Sequence, residues 1–219
     1  MEVTRSGVLP QTAAGFATEA EALDFAAAVR AANAPEIVEV VPAYFSVAVF
    51  HDPGRTSYSQ LAQRLARIDA TAMPTKGAGR KHLIPCCYDF GPDLPRIADH
   101  CKLSPAKVIQ LHSKSEYMVY AIGFCPGFPY LGYLPEALSG VPRLPSPRLR
   151  VEAGSVGLTG RQTGVYPLER PGGWNLLGRT PLELVNVAED YFPLRAGDRV
   201  RFEPISKAEF ERLRGKRLE

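Results

Sequence analysis

Hydrophobic positions near the N-terminus recur at helical spacing, whereas those in the second half of the chain alternate over short distances. Ala22, Phe25 and Val29 fall on one face of a helix, and Thr18 with Glu21 three residues later has the form of a capping box. The pattern therefore predicts a helix that begins just after Thr18 and buries its alanine- and phenylalanine-bearing face.

Two strands and a second helix are predicted to follow. The apolar runs Ile37–Val41 and Tyr44–His51 read as strands, with a break expected at Pro42 because proline donates no ladder hydrogen bond. Ser57 and Gln60 match a second capping box and predict a helix after them. The order of helix, two strands and helix indicates a small α/β layer, and one further strand is expected in it.

A polar, glycine-bearing stretch from 71 to 81 reads as a linker, so two domains are expected, 1–75 and 82–219. After it, residues 82–89 read as a strand. The segment 91–101 opens with turn residues and continues as a helix.

A second short helix and a long strand complete the predicted start of the second domain. Ser104 followed by Pro105 is typical of a helix N-terminus and predicts a short helix over residues 105–112. Residues 116–124 then read as a strand. In the following stretch, 123–182, Gly and Pro make up 20 of 60 residues, with large apolar side chains between them. Such a density excludes helix and favours short strands joined by tight turns, as in a barrel.

Composition and charge narrow the function classes. The chain has 219 residues, of which 45% are hydrophobic, and a net charge of +3. That charge is too small to indicate a nucleic-acid partner. No apolar run approaches the length of about 20 residues needed for a membrane span, and no secretory signal is recognised. A cytoplasmic location is expected.

The four cysteines, Cys86, Cys87, Cys101 and Cys125, do not form a disulfide framework. No C-x-x-C pair and no His/Cys cluster suggests a zinc site, so we expect reduced and mostly buried thiols and no metal site.

Two segments concentrate the residues that could perform chemistry. Residues 123–135 place Phe128 and Tyr130 among glycines and prolines. Residues 145–181 carry polar side chains on short turns, and neither segment has the pattern of a phosphate-binding loop. The candidates of the second segment are polar and aromatic residues together with one pair of glycines: Arg150, Ser155, Thr159, Arg161, Gln162, Thr163, Tyr166, Gly172, Gly173, Trp174 and Arg179. The alternative is a compact barrel in which these glycines only satisfy turn geometry and Trp174 belongs to the core.

The same segments carry a family resemblance. The runs GPDL (91–94), LHS (111–113), GFCPGFPYLG, PSPR, AGSVGLTGRQTGVYP and PGGWNLLGRTP resemble the KipI/PxpB family, also called allophanate hydrolase subunit 1. This resemblance implies an α+β protein with a small N-terminal α/β domain followed by a cyclophilin-like β-barrel. The family's opening strand is not recognised in residues 1–15, and Glu152 stands where a proline is commoner.

The resemblance also implies a function. It suggests the B subunit of an ATP-dependent 5-oxoprolinase, which opens 5-oxoproline to glutamate together with a KipA/PxpC-like subunit and a LamB/YcsF (PxpA)-like subunit. ATP is then the expected cofactor, with Mg as its companion, and a partner is expected to share in holding both. Half of a biotin-dependent carboxyltransferase of the urea carboxylase type, and a KipI-like inhibitor of a histidine kinase, remain as alternatives.

Roles for individual residues follow from the chemistry expected of such a complex. Arg179 supplies positive charge, Gln162 supplies a donor and His112 is the candidate base, so these three are the catalytic candidates. A structural histidine remains the alternative for His112. The substrate-binding candidates are Phe128, Tyr130, Arg150, Ser155, Thr163, Tyr166, Gly172, Gly173 and Trp174. Asp93 is expected to cap the helix that follows it rather than to act as an acid or base.

Overall fold

The computed structural model describes residues 11–68 and 79–218, and the chain divides into two compact units, residues 1–78 and 79–219. Most of the predicted linker, residues 71–78, lies outside the described residues. No helix in the described part of the chain has both the length and the apolar character that crossing a membrane demands.

The first unit is a three-stranded antiparallel sheet with two helices. Its elements are β1 (Gln11–Gly15), α1 (Glu19–Ala31), β2 (Ile37–Ala43), β3 (Ser46–His51) and α2 (Tyr58–Leu65), with strand order β1-β3-β2. Both predicted capping boxes are present, at Thr18 with Glu21 and at Ser57 with Gln60. The sequence predicted one further strand in this unit without locating it. That strand is β1, which pairs with β3 along its full length.

The predicted break at Pro42 is wrong. Pro42 lies inside β2, paired with Val47, and the chain turns instead at Tyr44, whose φ is 53°. Since β2 is at an edge of the sheet, the hydrogen bond that proline cannot donate is not needed there.

The second unit is built on a seven-stranded sheet. The strands of this unit, seven of which form that sheet, are β4 (Lys81–Cys86), β5 (Glu116–Ile122), β6 (Pro129–Gly132), β7 (Arg148–Val151), β8 (Ser155–Thr159), β9 (Gln162–Val165), β10 (Arg170–Gly172), β11 (Asn175–Arg179) and β12 (Arg199–Pro204). Its helices are α3 (Leu94–Cys101), α4 (Pro105–Lys114) and α5 (Lys207–Leu213). The sheet order is β11-β8-β9-β6-β5-β12-β4, while β7 and β10 pair separately.

The sheet curls until its two edges meet, which gives the barrel that the sequence predicted. At the meeting point the Cys87 amide donates to the Arg179 carbonyl (2.8 Å) and the Arg179 amide donates to the Cys87 carbonyl (3.0 Å). We call this contact the barrel seam. The strand predicted over 82–89 therefore ends at Cys86, because Cys87 leaves β4 to pair across the seam and a 3₁₀ turn follows at Tyr88–Phe90.

Glycine is required on both sides of the barrel seam. A Cβ on Gly178 would lie 2.5 Å from the Cys86 sulfur and 3.1 Å from the Cys87 carbonyl oxygen. A Cβ on Gly91 would lie 2.2 Å from the Leu177 carbonyl oxygen. Only a residue without a side chain lets the two edges approach this closely.

The core of the second unit fills the barrel and the space beneath α3 and α4. It is built mainly from aliphatic side chains of the strands, including Ile84, Val119, Leu131, Val156 and Leu177. All four cysteines are free, as predicted, and Cys101 alone among them is only partly buried.

We expect Gly178→Ala to lower the free energy of unfolding by about 2–3 kcal/mol, because the added methyl group overlaps Cys86 and the seam must open to admit it. Urea denaturation measures the change. Gly123→Ala is the matched control, since its Cβ would meet nothing nearer than a Tyr130 ring carbon at 3.8 Å. Equal stability of the two variants would show that the seam does not constrain the barrel.

Candidate functional site

Six of the predicted substrate-binding residues meet in one cleft on the barrel. The cleft has a volume of about 230 Å³. We call it the aromatic cleft, and its lining residues are Phe124, Phe128, Tyr130, Arg143, Pro147, Tyr166, Pro171, Gly172, Gly173 and Trp174. They come from the turn before β6, from β6 itself, from the segment before β7, from the residue just after β9, and from β10 with the residues that follow it.

The rings of the aromatic cleft pack edge to face. Phe128 lies at the centre, with its ring centroid 5.2 Å from that of Tyr166, 5.4 Å from that of Trp174 and 5.0 Å from that of Tyr130. Such tilted pairs are the favoured geometry of aromatic rings and keep the walls of the cleft stiff. Phe124 stands at the mouth, 60% exposed, on a backbone with φ of 66°.

Glycines make this ring packing possible. A Cβ on Gly164 would lie 3.0 Å from the Phe128 ring and 3.1 Å from the Trp174 ring. A Cβ on Gly172 would lie 2.3 Å from the Tyr166 hydroxyl oxygen. The glycines of the second predicted segment thus serve the cleft, in addition to the turns that the sequence suggested.

Burial and nearby arginines set the electrostatics of the aromatic cleft. Burial raises the pKa of the Tyr130 and Tyr166 phenols, and the positive charge of Arg143 opposes that rise at both. The Trp174 backbone amide and the positive charge of Arg148 also oppose the rise at Tyr166. Both phenols therefore keep their protons at neutral pH and can donate hydrogen bonds.

Arg143 is the functional candidate that sequence reasoning missed. It lies between the two recognised segments, next to Pro142 and close to Pro145 and Pro147, and no chemical motif includes it. The run of prolines that stiffens its segment is the signal that could have drawn attention to it.

The structure places His112 in the core rather than in the cleft. It is fully buried, and its ring stacks on Phe202 at 4.6 Å. The Thr163 hydroxyl donates to the Gly157 carbonyl (3.0 Å), so its oxygen accepts from His112 Nε2 (2.9 Å). His112 Nδ1 then accepts from the Tyr88 hydroxyl (2.8 Å). We call this chain of hydrogen bonds the histidine relay.

Both ring nitrogens of His112 are thus occupied, and burial lowers the pKa of His112 to about 3. A histidine so placed remains neutral at physiological pH and has no contact with solvent. The geometry favours the structural alternative for His112 and gives Thr163 the same role.

The three predicted arginines lie apart from the aromatic cleft. Arg150 is exposed on β7 and pairs with Glu169 (2.6 Å), while Arg161 stacks over the Tyr133 ring at 4.4 Å. Arg179 donates to the Ala153 carbonyl (3.0 Å) and pairs with Glu152, the residue that departs from the family pattern. A separate pocket, which holds Arg179, has a volume of about 320 Å³ and lies beside Phe210 and Arg214 of the α5 region.

The remaining candidates occupy strand positions near the cleft. Gln162 opens β9, paired in register with Gly132 and Thr159. Ser155 is buried at the start of β8, where its carbonyl accepts from the Tyr166 amide (2.8 Å). It thereby fixes the backbone of a cleft residue.

The expectation that the Asp93 side chain caps α3 is wrong. Asp93 stands at the N-cap position, but its carboxylate accepts from Arg148 Nη2 (2.7 Å) and from the Leu176 amide (2.7 Å). It therefore ties α3 to β7 and β11. Within the described residues, no three His, Cys, Asp or Glu side chains are grouped so that they could hold a metal ion.

Comparison with known proteins identifies relatives over most of the chain. A family model described as "Carboxyltransferase domain, subdomain C and D" matches residues 6–194. The chain is 42% identical to the B subunit of 5-oxoprolinase from Bacillus subtilis, covering 80% of this chain and 79% of that protein. It is 45% identical to the B subunit of 5-oxoprolinase from Escherichia coli O157:H7, covering 80% of this chain and 81% of that protein.

Solved structures agree on the fold. The protein TTHA0988 superposes with a TM-score of 0.80 at 40% identity over 90% of this chain, and this chain covers 40% of that longer chain. The urea carboxylase of Kluyveromyces lactis superposes with a TM-score of 0.66 at 18% identity, over 88% of this chain and 20% of that one. The second likeness is one of fold alone.

We expect the stability of the barrel to fall in mild acid because of His112. Below pH 6.5 the unfolded chain binds a proton on His112 that the folded chain does not bind until about pH 3, so the free energy of unfolding falls as pH falls through this window. Between pH 6.5 and pH 5 the loss is about 2 kcal/mol. Urea denaturation followed by Trp174 fluorescence at several pH values measures it.

His112→Gln should remove this share of the pH dependence whatever its effect on stability at pH 7, because glutamine does not titrate. His100→Gln is the comparison variant, since it makes the same substitution at an exposed position on α3. An unchanged slope in His112→Gln would contradict a neutral, buried His112.

For Arg179 we expect a role in stability. Arg179→Ala should lower the free energy of unfolding by about 1 kcal/mol, because it removes the bond to the Ala153 carbonyl as well as the pair with Glu152. Glu152→Ala should have a smaller effect, and the double variant should be no less stable than Arg179→Ala. If Arg179→Ala is fully stable but abolishes the activity of an assembled complex, the arginine contacts a ligand instead.

Proposed function

The chain belongs to the family of carboxyltransferase subdomains C and D, and from this membership we propose that it is the B subunit of an ATP-dependent 5-oxoprolinase. The observation that carries the proposal is the identity of 42–45% to proteins named as that subunit, over about four fifths of each chain. The motif residues of the barrel segment also build the aromatic cleft.

The proposed reaction is the opening of 5-oxoproline to glutamate, coupled to ATP hydrolysis. A lactam is a stable amide, and its opening requires stabilisation of the charge that develops on the amide oxygen when water attacks. The protonated phenols of Tyr130 and Tyr166 are neutral donors of the kind that this charge requires. We propose that this subunit orients the lactam and that the rest of the chemistry belongs to its partners.

ATP does not fit the aromatic cleft. The aromatic cleft, at about 230 Å³, is smaller than the roughly 300–1,000 Å³ typical of sites for larger ligands. The glycines of the cleft belong to strands and turns, and none of them opens a helix at a site where phosphates could meet a helix N-terminus. We therefore propose that ATP and its Mg companion are bound mainly by a partner subunit.

The proposed partners are a KipA/PxpC-like subunit and a LamB/YcsF (PxpA)-like subunit. Because the relatives are named as one lettered subunit of 5-oxoprolinase, their complexes contain at least one further subunit. Among the described residues, no carboxylate or imidazole lines the cleft to act as a base. This composition supports a division of labour in which a partner supplies the group that activates water.

The alternatives have less support. The likeness to urea carboxylase, at 18% identity, extends to the fold only, so it does not favour a biotin-dependent carboxyl transfer over lactam opening. No contact or surface in the described residues specifically favours inhibition of a histidine kinase.

We expect the purified chain alone to show negligible ATP-dependent conversion of 5-oxoproline, because the described residues of the cleft provide neither a nucleotide site nor a base. Addition of the KipA-like and LamB/YcsF-like subunits of the same source should raise glutamate formation at least a hundredfold. Assays that omit one subunit at a time serve as controls.

Two results would contradict the proposal. One is rapid turnover by the isolated chain. The other is an assembled complex that leaves 5-oxoproline intact but transfers a carboxyl group from a biotin carrier to urea.

A further inference from the structure

We propose that the aromatic cleft binds a small, flat cyclic amide between its rings and that Arg143 binds the carboxylate of that ligand. The choice of a cyclic amide rests on the proposed function, whereas the assignment of the cleft and of Arg143 rests on the geometry of the described residues.

The walls of the aromatic cleft suit a flat ring. Phe128, Tyr130, Tyr166 and Trp174 present ring faces and edges, and they are held by edge-to-face packing with little freedom to move. Trp174 is only 5% exposed, so it forms part of the wall rather than of the mouth. A planar ring can stack on such a surface or pack against it edge to face.

The size of the cleft limits the ligand. At about 230 Å³ it is below the range typical of drug-sized molecules, and a single five-membered ring with one substituent is of the right order. A nucleotide is larger than this space.

Arg143 is the charged residue of the cleft, and no acidic residue in the described part of the chain forms an ion pair with it. In the stretches 11–68 and 79–218, Arg148 pairs with Asp93 and Arg150 pairs with Glu169, whereas no carboxylate lies within 4 Å of the Arg143 guanidinium. Its positive charge reaches the hydroxyls of Tyr130 and Tyr166, which lie on two walls of the cleft. An arginine in this position is suited to bind one carboxylate in a bidentate manner.

The two phenols complete the recognition of a cyclic amide. Because burial raises their pKa, Tyr130 and Tyr166 remain protonated beside the arginine and can donate to an amide carbonyl. One cation and neutral donors match a ligand with one negative charge and one carbonyl group.

The single tryptophan of the chain provides a direct test, because Trp174 lies in the wall of the cleft. Its fluorescence in the full-length chain is titrated with 5-oxoproline, with 2-pyrrolidone, which lacks the carboxylate, and with proline, which lacks the amide carbonyl. We expect a saturable change with 5-oxoproline and binding at least tenfold weaker for the other two.

Arg143→Ala should weaken the binding of 5-oxoproline about ten- to a hundredfold and leave 2-pyrrolidone unaffected, so that the preference for the carboxylate is lost. Arg143→Lys should restore part of it. Arg201→Ala is the matched control, because it removes the same charge from an exposed position on β12 outside the cleft.

The results separate this inference from the proposed function. If an assembled complex opens 5-oxoproline but the chain alone gives no saturable signal, or if Arg143→Ala binds like the parent chain, the cleft is not the ligand site and the inference fails. If the chain binds as expected while the complex does not open 5-oxoproline, the inference stands and the proposed function fails.

Discussion

Two backbone hydrogen bonds at the barrel seam, between Cys87 and Arg179, hold the arrangement of the second unit together. They join the two edges of a sheet whose other strands pair in an unbroken series from β11 to β4. A sheet with open edges leaves unpaired amides and carbonyls at both ends, and the barrel seam pairs those of Cys87 and Arg179. The close approach depends on Gly91 and Gly178, since a methyl group at either position would meet backbone or sulfur atoms.

Closure of the barrel also determines where the aromatic cleft lies. Strand β9 runs through the sheet between β8 and β6, and Gly164 on it supports the rings of Phe128 and Trp174. The histidine relay anchors the neighbouring residue, Thr163, to α4 from inside the core. The cleft is therefore attached to the buried core of the unit, which suits a site that must hold a small ligand in one orientation.

The distribution of charge agrees with a protein that binds a ligand but does not complete a reaction. Arg148, Arg150 and Arg179 are engaged by acidic partners within the chain, and Arg143 at the cleft has no such partner among the described residues. His112, the residue best suited by its chemistry to transfer protons, is committed to the histidine relay. A cleft with donors and one cation can orient and polarise a ligand, and a second protein surface is then needed to deliver the attacking group.

The sequence by itself determined where several helices begin and which segment of the chain forms the short strands of the barrel. The capping boxes of α1 and α2 were predicted because their partners lie three residues apart, and the start of α4 because Pro105 follows Ser104. The dense pattern of Gly, Pro and aromatic residues likewise predicted short strands and most of the cleft wall. Only the tertiary structure decided which polar side chains line the cleft and which are committed elsewhere. Asp93 bonds to the Leu176 amide 83 residues away, and His112 bonds to Thr163 51 residues away. Such contacts exist only after the barrel closes, and the spacing of residues along the chain carries no information about that closure.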